Sequence, residues 1–290
     1  MTSALWADYR WCRDVMQRHY ENFAVASRIV PAALRPHFWA VYAYARTVDD
    51  LGDEYAGDRL EALAEFRRRL DRALAGQPDS PLLRALAHTV TACGLPTQPF
   101  YDLIEANRRD QLVTHYASFA DILEYCRYSA NPVGRLVLGI FGLLDPERAR
   151  LSDATCTALQ IANFLQDIGE DAARGRCYLP ADDLKAVGLT VDDVLARRFT
   201  PALGRVIRRQ ADRAAALFAE GARLEAQVPW RVRLQLRLYR LGGEAILRAV
   251  TRPDYDPFRD RPRLSGPEKA QIALRALAAA RERQVNHGPR

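Results

Sequence analysis

One line of polar side chains on an otherwise apolar stretch constrains this chain more than any other feature. In Ala158-Leu-Gln160-Ile-Ala-Asn163-Phe-Leu-Gln166-Asp167-Ile-Gly-Glu170-Asp171, the residues Gln160, Asn163, Asp167 and Asp171 fall at i, i+3, i+7 and i+11. That spacing is one stripe of a helix whose other positions are Leu159, Ile161, Ala162, Phe164, Leu165 and Ile168. A helix exposed all round would not carry so many apolar neighbours. A buried one would leave amides and carboxylates unpaired, at about 1–3 kcal/mol per group. The stripe is therefore expected to line a cavity that holds water, metal or ligand.

A second acidic segment lies far upstream, in His37-Phe-Trp-Ala-Val-Tyr42-Ala-Tyr-Ala-Arg46-Thr-Val-Asp49-Asp50-Leu-Gly-Asp53-Glu54. Asp49 and Asp53 stand at i and i+4 on one helix face, with Tyr42 and Arg46 on the preceding turns. Val41, Tyr44, Val48 and Leu51 form the apolar stripe beside them. His37 extends that apolar stripe and reads as a structural histidine. Alone, D-D-x-x-D reads equally well as a solvated charged face. Paired with the first stripe across one cavity, it needs a cation, and hard oxygen ligands with room for water suit Mg²⁺. A diphosphate bridged through magnesium satisfies both stripes. Neutralising it as a leaving group would release an allylic or cyclopropylcarbinyl cation with no protein nucleophile. Arg28, Arg46, Arg174 and Arg176 are close enough in sequence to add direct contacts, though each reads equally well as a surface residue.

The rest of the chain reads as all-α. Apolar residues recur at helical spacing, as in Leu60, Leu63, Phe66, Leu70 and Leu74, and no period-2 segment of comparable length appears. Breaks fall at Gly76, Gly94, Pro146, Pro180, Pro229 and the stretch from Pro253 to Pro267. No composition shift or long linker divides it, so a single domain over 1–290 is expected. Of 42 basic residues only Lys185 and Lys269 are lysines, and the net charge is +6, which suits an anionic partner. Nucleic acid is not expected, since no zinc-finger, RNP-like or helix-turn-helix signature occurs and the arginines alternate with acids. Five scattered cysteines, with no C-x-x-C pair, fit a reducing cytoplasm, and the longest apolar run, Leu136 to Leu144, is too short to span a bilayer.

Four blocks in order resemble the squalene/phytoene synthase family: Asn22-Phe-Ala-Val-Ala-Ser27-Arg28, Tyr42 to Glu54, Tyr125-Cys-Arg-Tyr-Ser129-Ala-Asn131-Pro-Val-Gly134, and Asn163 to Pro180. The resemblance implies an all-α isoprenoid synthase fold around a central cavity with two facing aspartate-rich helices. It implies Mg²⁺ on Asp49, Asp53, Asp167 and Asp171, and Tyr125 beside the reacting carbons. Ser27, Arg28, Tyr42, Arg46, Asn131, Gln160, Asn163, Gln166, Arg174, Tyr178 and Arg261 complete the expected prenyl diphosphate site. Members join two prenyl diphosphates head to head through a cyclopropyl intermediate and then rearrange it.

Three departures bear on the reaction. Gln166 stands where many members have arginine before the aspartate. Gly243 stands where many carry tyrosine, and is expected to leave extra room in the cavity. Ser129 and Asn131 add polarity to a block that is more apolar elsewhere. Together they resemble members that ionise presqualene diphosphate and end the cation with water, giving hydroxysqualene on a hopanoid route. The alternative is a head-to-head transferase making presqualene diphosphate, squalene or phytoene. The absence of a G-x-G-x-x-G or Walker-type loop disfavours NADPH-dependent reduction. From other classes, a non-catalytic helical protein that binds membranes or nucleic acid fits the charge, and a dead relative fits the fold, but both acidic motifs are intact. A C30 product suggests weak peripheral contact with the inner face of the membrane. The oligomeric state is left open.

Overall fold

A computed structural model of the chain describes residues 2–19 and 30–281. Among the described residues there is no strand, only an isolated bridge between His115 and Cys177. Several helices begin where the sequence supplies a capping side chain. Asp58 accepts from the Glu61 amide to open one helix, Ser80 opens another just before Pro81, and Gly94 ends that one in the left-handed region at φ 60°. The residues group into two compact units, each assembled from two separated stretches of the chain.

The first unit holds residues 1–113 and 132–149. It contains α1 (Ser3–His19), α2 (Arg35–Asp53), α3 (Arg59–Leu74), α4 (Pro81–Cys93) and α5 (Gln98–Asp110), with most of α7 (Asn131–Ile140). The stripe expected on α2 is its buried face: Val41 is 7% exposed, and Tyr44 and Val48 are fully buried. Those side chains pack with Leu63, Phe66 and Leu70 of α3 and Phe100 of α5. Each such burial is worth about 1.5–3 kcal/mol, which fixes the face α2 turns away from the core. His37 is structural, as expected: its Nδ1 lies 3.2 Å from the Tyr9 hydroxyl and 3.0 Å from Thr89 Oγ1.

The second unit holds residues 114–131 and 150–290. Its helices are α6 (Phe119–Ser129), most of α8 (Pro146–Gln166), α9 (Ile168–Ala173), α10 (Ala181–Lys185), α11 (Val191–Leu195), α12 (Pro201–Gly221), α13 (Trp230–Val250) and α14 (Gly266–Arg281), with a 3-10 turn over Ala222–Gln227. Two expectations are corrected here. The polar stripe does not ride one continuous helix: α8 ends at Gln166, and Asp167, at φ −106° and ψ 10°, caps α9. The Asp167 amide still bonds Asn163 O and the Asp171 amide Asp167 O, so the spacing survives the break. Gly243 opens no cavity. A Cβ there would lie 2.4 Å from the Phe218 ring and 2.9 Å from Leu159 Cδ2, so its missing side chain lets α12 and α8 pack close against α13.

Candidate active site

The first acidic motif is built on the last turns of α2. Asn107 on α5 donates from Nδ2 to Asp49 Oδ1 at 3.1 Å and to Leu103 O at 3.2 Å. Gly52 permits the approach, because a Cβ there would stand 2.2 Å from Asn107 Oδ1. Gln111 Nε2 donates to Gly52 O at 3.0 Å, closing the same junction. Sequence reading missed both amides; their i, i+4 spacing on one helix was the available signal. Asp49 keeps access to water yet is crowded by protein, and burial pushes its carboxyl up to about 6, with Asp53 adding to the rise against the pull of Asn107. Arg46 is held on its own helix, 2.5 Å from Asp50 and 2.6 Å from Glu54, while its Nε is buried with no hydrogen-bond partner among the described residues. Asp53 is exposed and Tyr42 half-buried.

The second motif belongs to α8 and α9. Gln160, Gln166, Asp167 and Asp171 are half-buried and Asn163 is exposed. Burial pushes Asp171 up to about 7, Asp167 adds to this, and Arg176 and Arg174 oppose it. Arg174 caps the C-terminus of α9, and the Arg176 amide returns to Asp171 O at 2.9 Å. Arg261 comes from the segment between α13 and α14. Its Nε donates to Asp167 Oδ1 at 2.6 Å and lies 3.1 Å from Glu170 Oε1. Gln166 Nε2 donates to Pro262 O at 2.5 Å.

Beside this motif stands an aromatic cluster. Tyr178 lies flat on Phe164, with ring centroids 4.1 Å apart, and Tyr125 sits 5.8 Å from Tyr178 and 6.0 Å from Phe164. Tyr116, not singled out from the sequence, joins at 5.4 Å from Tyr125. Phe164, Tyr178 and Arg176 share a small recess with Asp171. Asn131 is buried and its Oδ1 accepts from Thr157 of α8 at 2.9 Å, a bond within the second unit. Ser129 Oγ is buried with no hydrogen-bond partner among the described residues. Ser27 and Arg28 lie outside the described residues. A surface concavity of about 480 Å³ along the 3-10 turn, lined in part by Ala222, Glu225 and Arg237, contains none of the predicted residues.

Both motifs have the donor chemistry for a hard cation. Each pairs carboxylates of which one, Asp49 or Asp171, carries a pKa raised chiefly by burial, with the second carboxylate of the pair adding to the rise. Among the described residues no three His, Cys, Asp or Glu side chains converge on one point to cage a metal. Carboxylate pairs of this kind fit an ion that keeps water and substrate oxygens in its shell, the habit of Mg²⁺.

Comparison with known proteins agrees with the motif blocks. The family model for squalene/phytoene synthase matches residues 16–268. Phytoene synthase 3 of Zea mays is 35% identical over 270 residues, 89% of this chain but 62% of that protein's length. The 15-cis-phytoene synthase of Synechococcus elongatus is 31% identical over 271 residues, covering 87% of each. Among solved structures, squalene synthase HpnC from Alicyclobacillus acidocaldarius is similar at 57% identity and TM-score 0.86, over 89% of this chain and 98% of that one. A dehydrosqualene synthase shares the fold at 24% identity and TM-score 0.85, over 96% and 98%. The chain therefore belongs to the squalene/phytoene synthase family and has its helical isoprenoid synthase fold.

Proposed function

We propose that this chain, acting as one catalytic domain over 1–290, ionises presqualene diphosphate and captures the cation with water, releasing hydroxysqualene and diphosphate. The observation that carries the reading is the pair of carboxylate sets, with Asp49 pushed up to about 6 and Asp171 to about 7. Asp49, Asp53, Asp167 and Asp171 would hold magnesium. When bound, that ion neutralises the departing diphosphate. Arg46, Arg174 and Arg261 would bind diphosphate oxygens. Tyr116, Tyr125, Phe164 and Tyr178 offer π faces to an electron-poor carbon, which an aromatic quadrupole favours by about 1–2 kcal/mol when desolvated.

The choice of presqualene diphosphate rests on Gln166, an uncharged residue where a second diphosphate would call for a cation, and the likeness to squalene synthase HpnC supports a squalene-type over a phytoene-type product. The phytoene synthases among the relatives favour a second reading, condensation of two allylic diphosphates. Purified enzyme with Mg²⁺ and no NADPH distinguishes them. Presqualene diphosphate should yield hydroxysqualene; product from farnesyl or geranylgeranyl diphosphate alone would move the chain to the second reading.

We place the protein on the cytoplasmic side, touching the membrane weakly to hand on its apolar product. No helix among the described residues is long and apolar enough to cross a membrane. Failure to float with anionic liposomes would remove the membrane contact.

A further inference from the structure

The segment 251–265, between α13 and α14, is fastened to the second acidic motif at successive points. The Tyr255 hydroxyl donates to Leu165 O at 3.1 Å. The Pro257 carbonyl lies so close over Gly169 that a Cβ there would stand 2.4 Å from it. Arg197 Nη2 donates to Phe258 O at 3.3 Å. Arg261 then meets Asp167, and Gln166 meets the Pro262 carbonyl at 2.5 Å. The last two contacts are neighbours in both segments: 167 pairs with 261 and 166 with 262.

We infer that Gln166 is a positioning residue, which holds the Pro262 carbonyl and thereby sets the Arg261 guanidinium against the acidic motif, where it receives a diphosphate. Pro262 is buried and Arg261 only half so, with a long side chain that costs about 2 kcal/mol of rotamer freedom to fix. Anchoring the adjacent backbone removes part of that cost before ligand arrives, which is how preorganisation raises affinity. The residue type fits the task. An amide N–H satisfies the carbonyl without adding charge, so Arg261 pairs with Asp167 and Glu170 free of a competing cation at 166. A carboxylate there would repel the carbonyl, and an apolar side chain would leave it unpaired.

The diphosphate half of this inference rests on the proposed function; the strap half does not, and two experiments keep them apart. Hydrogen–deuterium exchange over 255–264 needs no ligand. Gln166→Met, close in size but without a donor, should exchange faster there than the parent while melting within a few degrees of it. Gln166→Glu should do the same at pH 8. Unchanged exchange in both variants overturns the tether. Calorimetry with inorganic pyrophosphate and Mg²⁺ then tests the action through Arg261. Gln166→Met should weaken binding about tenfold, and Gln166→Met with Arg261→Met should bind no worse than Arg261→Met alone, within about twofold. Losses that multiply in full would overturn the link to Arg261. With presqualene diphosphate the Gln166→Met defect should fall on KM, with kcat within about twofold of the parent. A parent chain that ignores pyrophosphate overturns the diphosphate half, while the exchange result still decides the tether.

Discussion

Gly52 and Gly243 show how a missing side chain does work that its own sequence position does not announce. At Gly52 the space is taken by Asn107, whose amide meets Asp49. Gly52→Ala should push Asn107 off that carboxylate and weaken Mg²⁺ binding about tenfold, the usual scale for disturbing a partner of a metal ligand. A magnesium titration followed by intrinsic fluorescence checks this; unchanged affinity would show the Asn107 contact to be idle. Gly243→Ala should cost about 1–3 kcal/mol by overpacking against Phe218, read as a lower urea midpoint. The neighbours of neither glycine are readable from one sequence, because Asn107 and Phe218 arrive from other helices. Asp171 brings a dependence on pH. Its folded pKa, about 7, lies above the ordinary 3.8. The stability linked to its neutral form is therefore complete below about pH 4 and lost as pH rises through 7. Metal-free Asp171→Asn should melt several degrees above the parent at pH 8 and level with it at pH 4. Equal curves at both values would mean that Asp171 carries no such burden.

At the scale of elements, much of the chain was legible because caps and breakers are local. Gly94, Pro146 and Pro229 stand at helix ends, and the Val41, Tyr44, Val48 stripe is the buried face of α2. The break at Asp167 was not legible, since no proline marks it, Gly169 lies inside the helix that follows, and the spacing of 163, 167 and 171 is the same with or without it. The ties between elements were also hidden. Asp183 on α10 reads as one acid among many, yet its side chain is 4% exposed. It accepts from Gln210 at 2.7 Å, lies 3.0 Å from Arg209 and is bonded by Arg213, all on α12. Asp183→Ala would leave Arg213 half-buried without that partner, and should cost about 3–5 kcal/mol in chemical unfolding. A loss under about 1 kcal/mol would mark the cluster as an ordinary surface pairing.

For the whole molecule, the four motif blocks carried the family and its all-helical fold, and comparison with relatives agrees over residues 16–268. They carried less of the site. Arg261 was placed by resemblance, but its partner Asp167 and the strap that delivers it depend on contacts between residues 94 positions apart. Tyr116 and Asn107 lie outside every block and enter only through packing. The substrate follows from the reaction the acidic pairs are proposed to drive, so they are where the account is most exposed. The most direct measurement is magnesium-dependent diphosphate release from presqualene diphosphate by the parent, Asp49→Asn and Asp167→Asn enzymes, with helix content checked by circular dichroism. Each substitution should lower the rate by at least about a hundredfold with the helices intact, since each removes one ligand of the metal that stabilises the leaving group. A near-normal rate in either variant would contradict the claim that both motifs hold that metal.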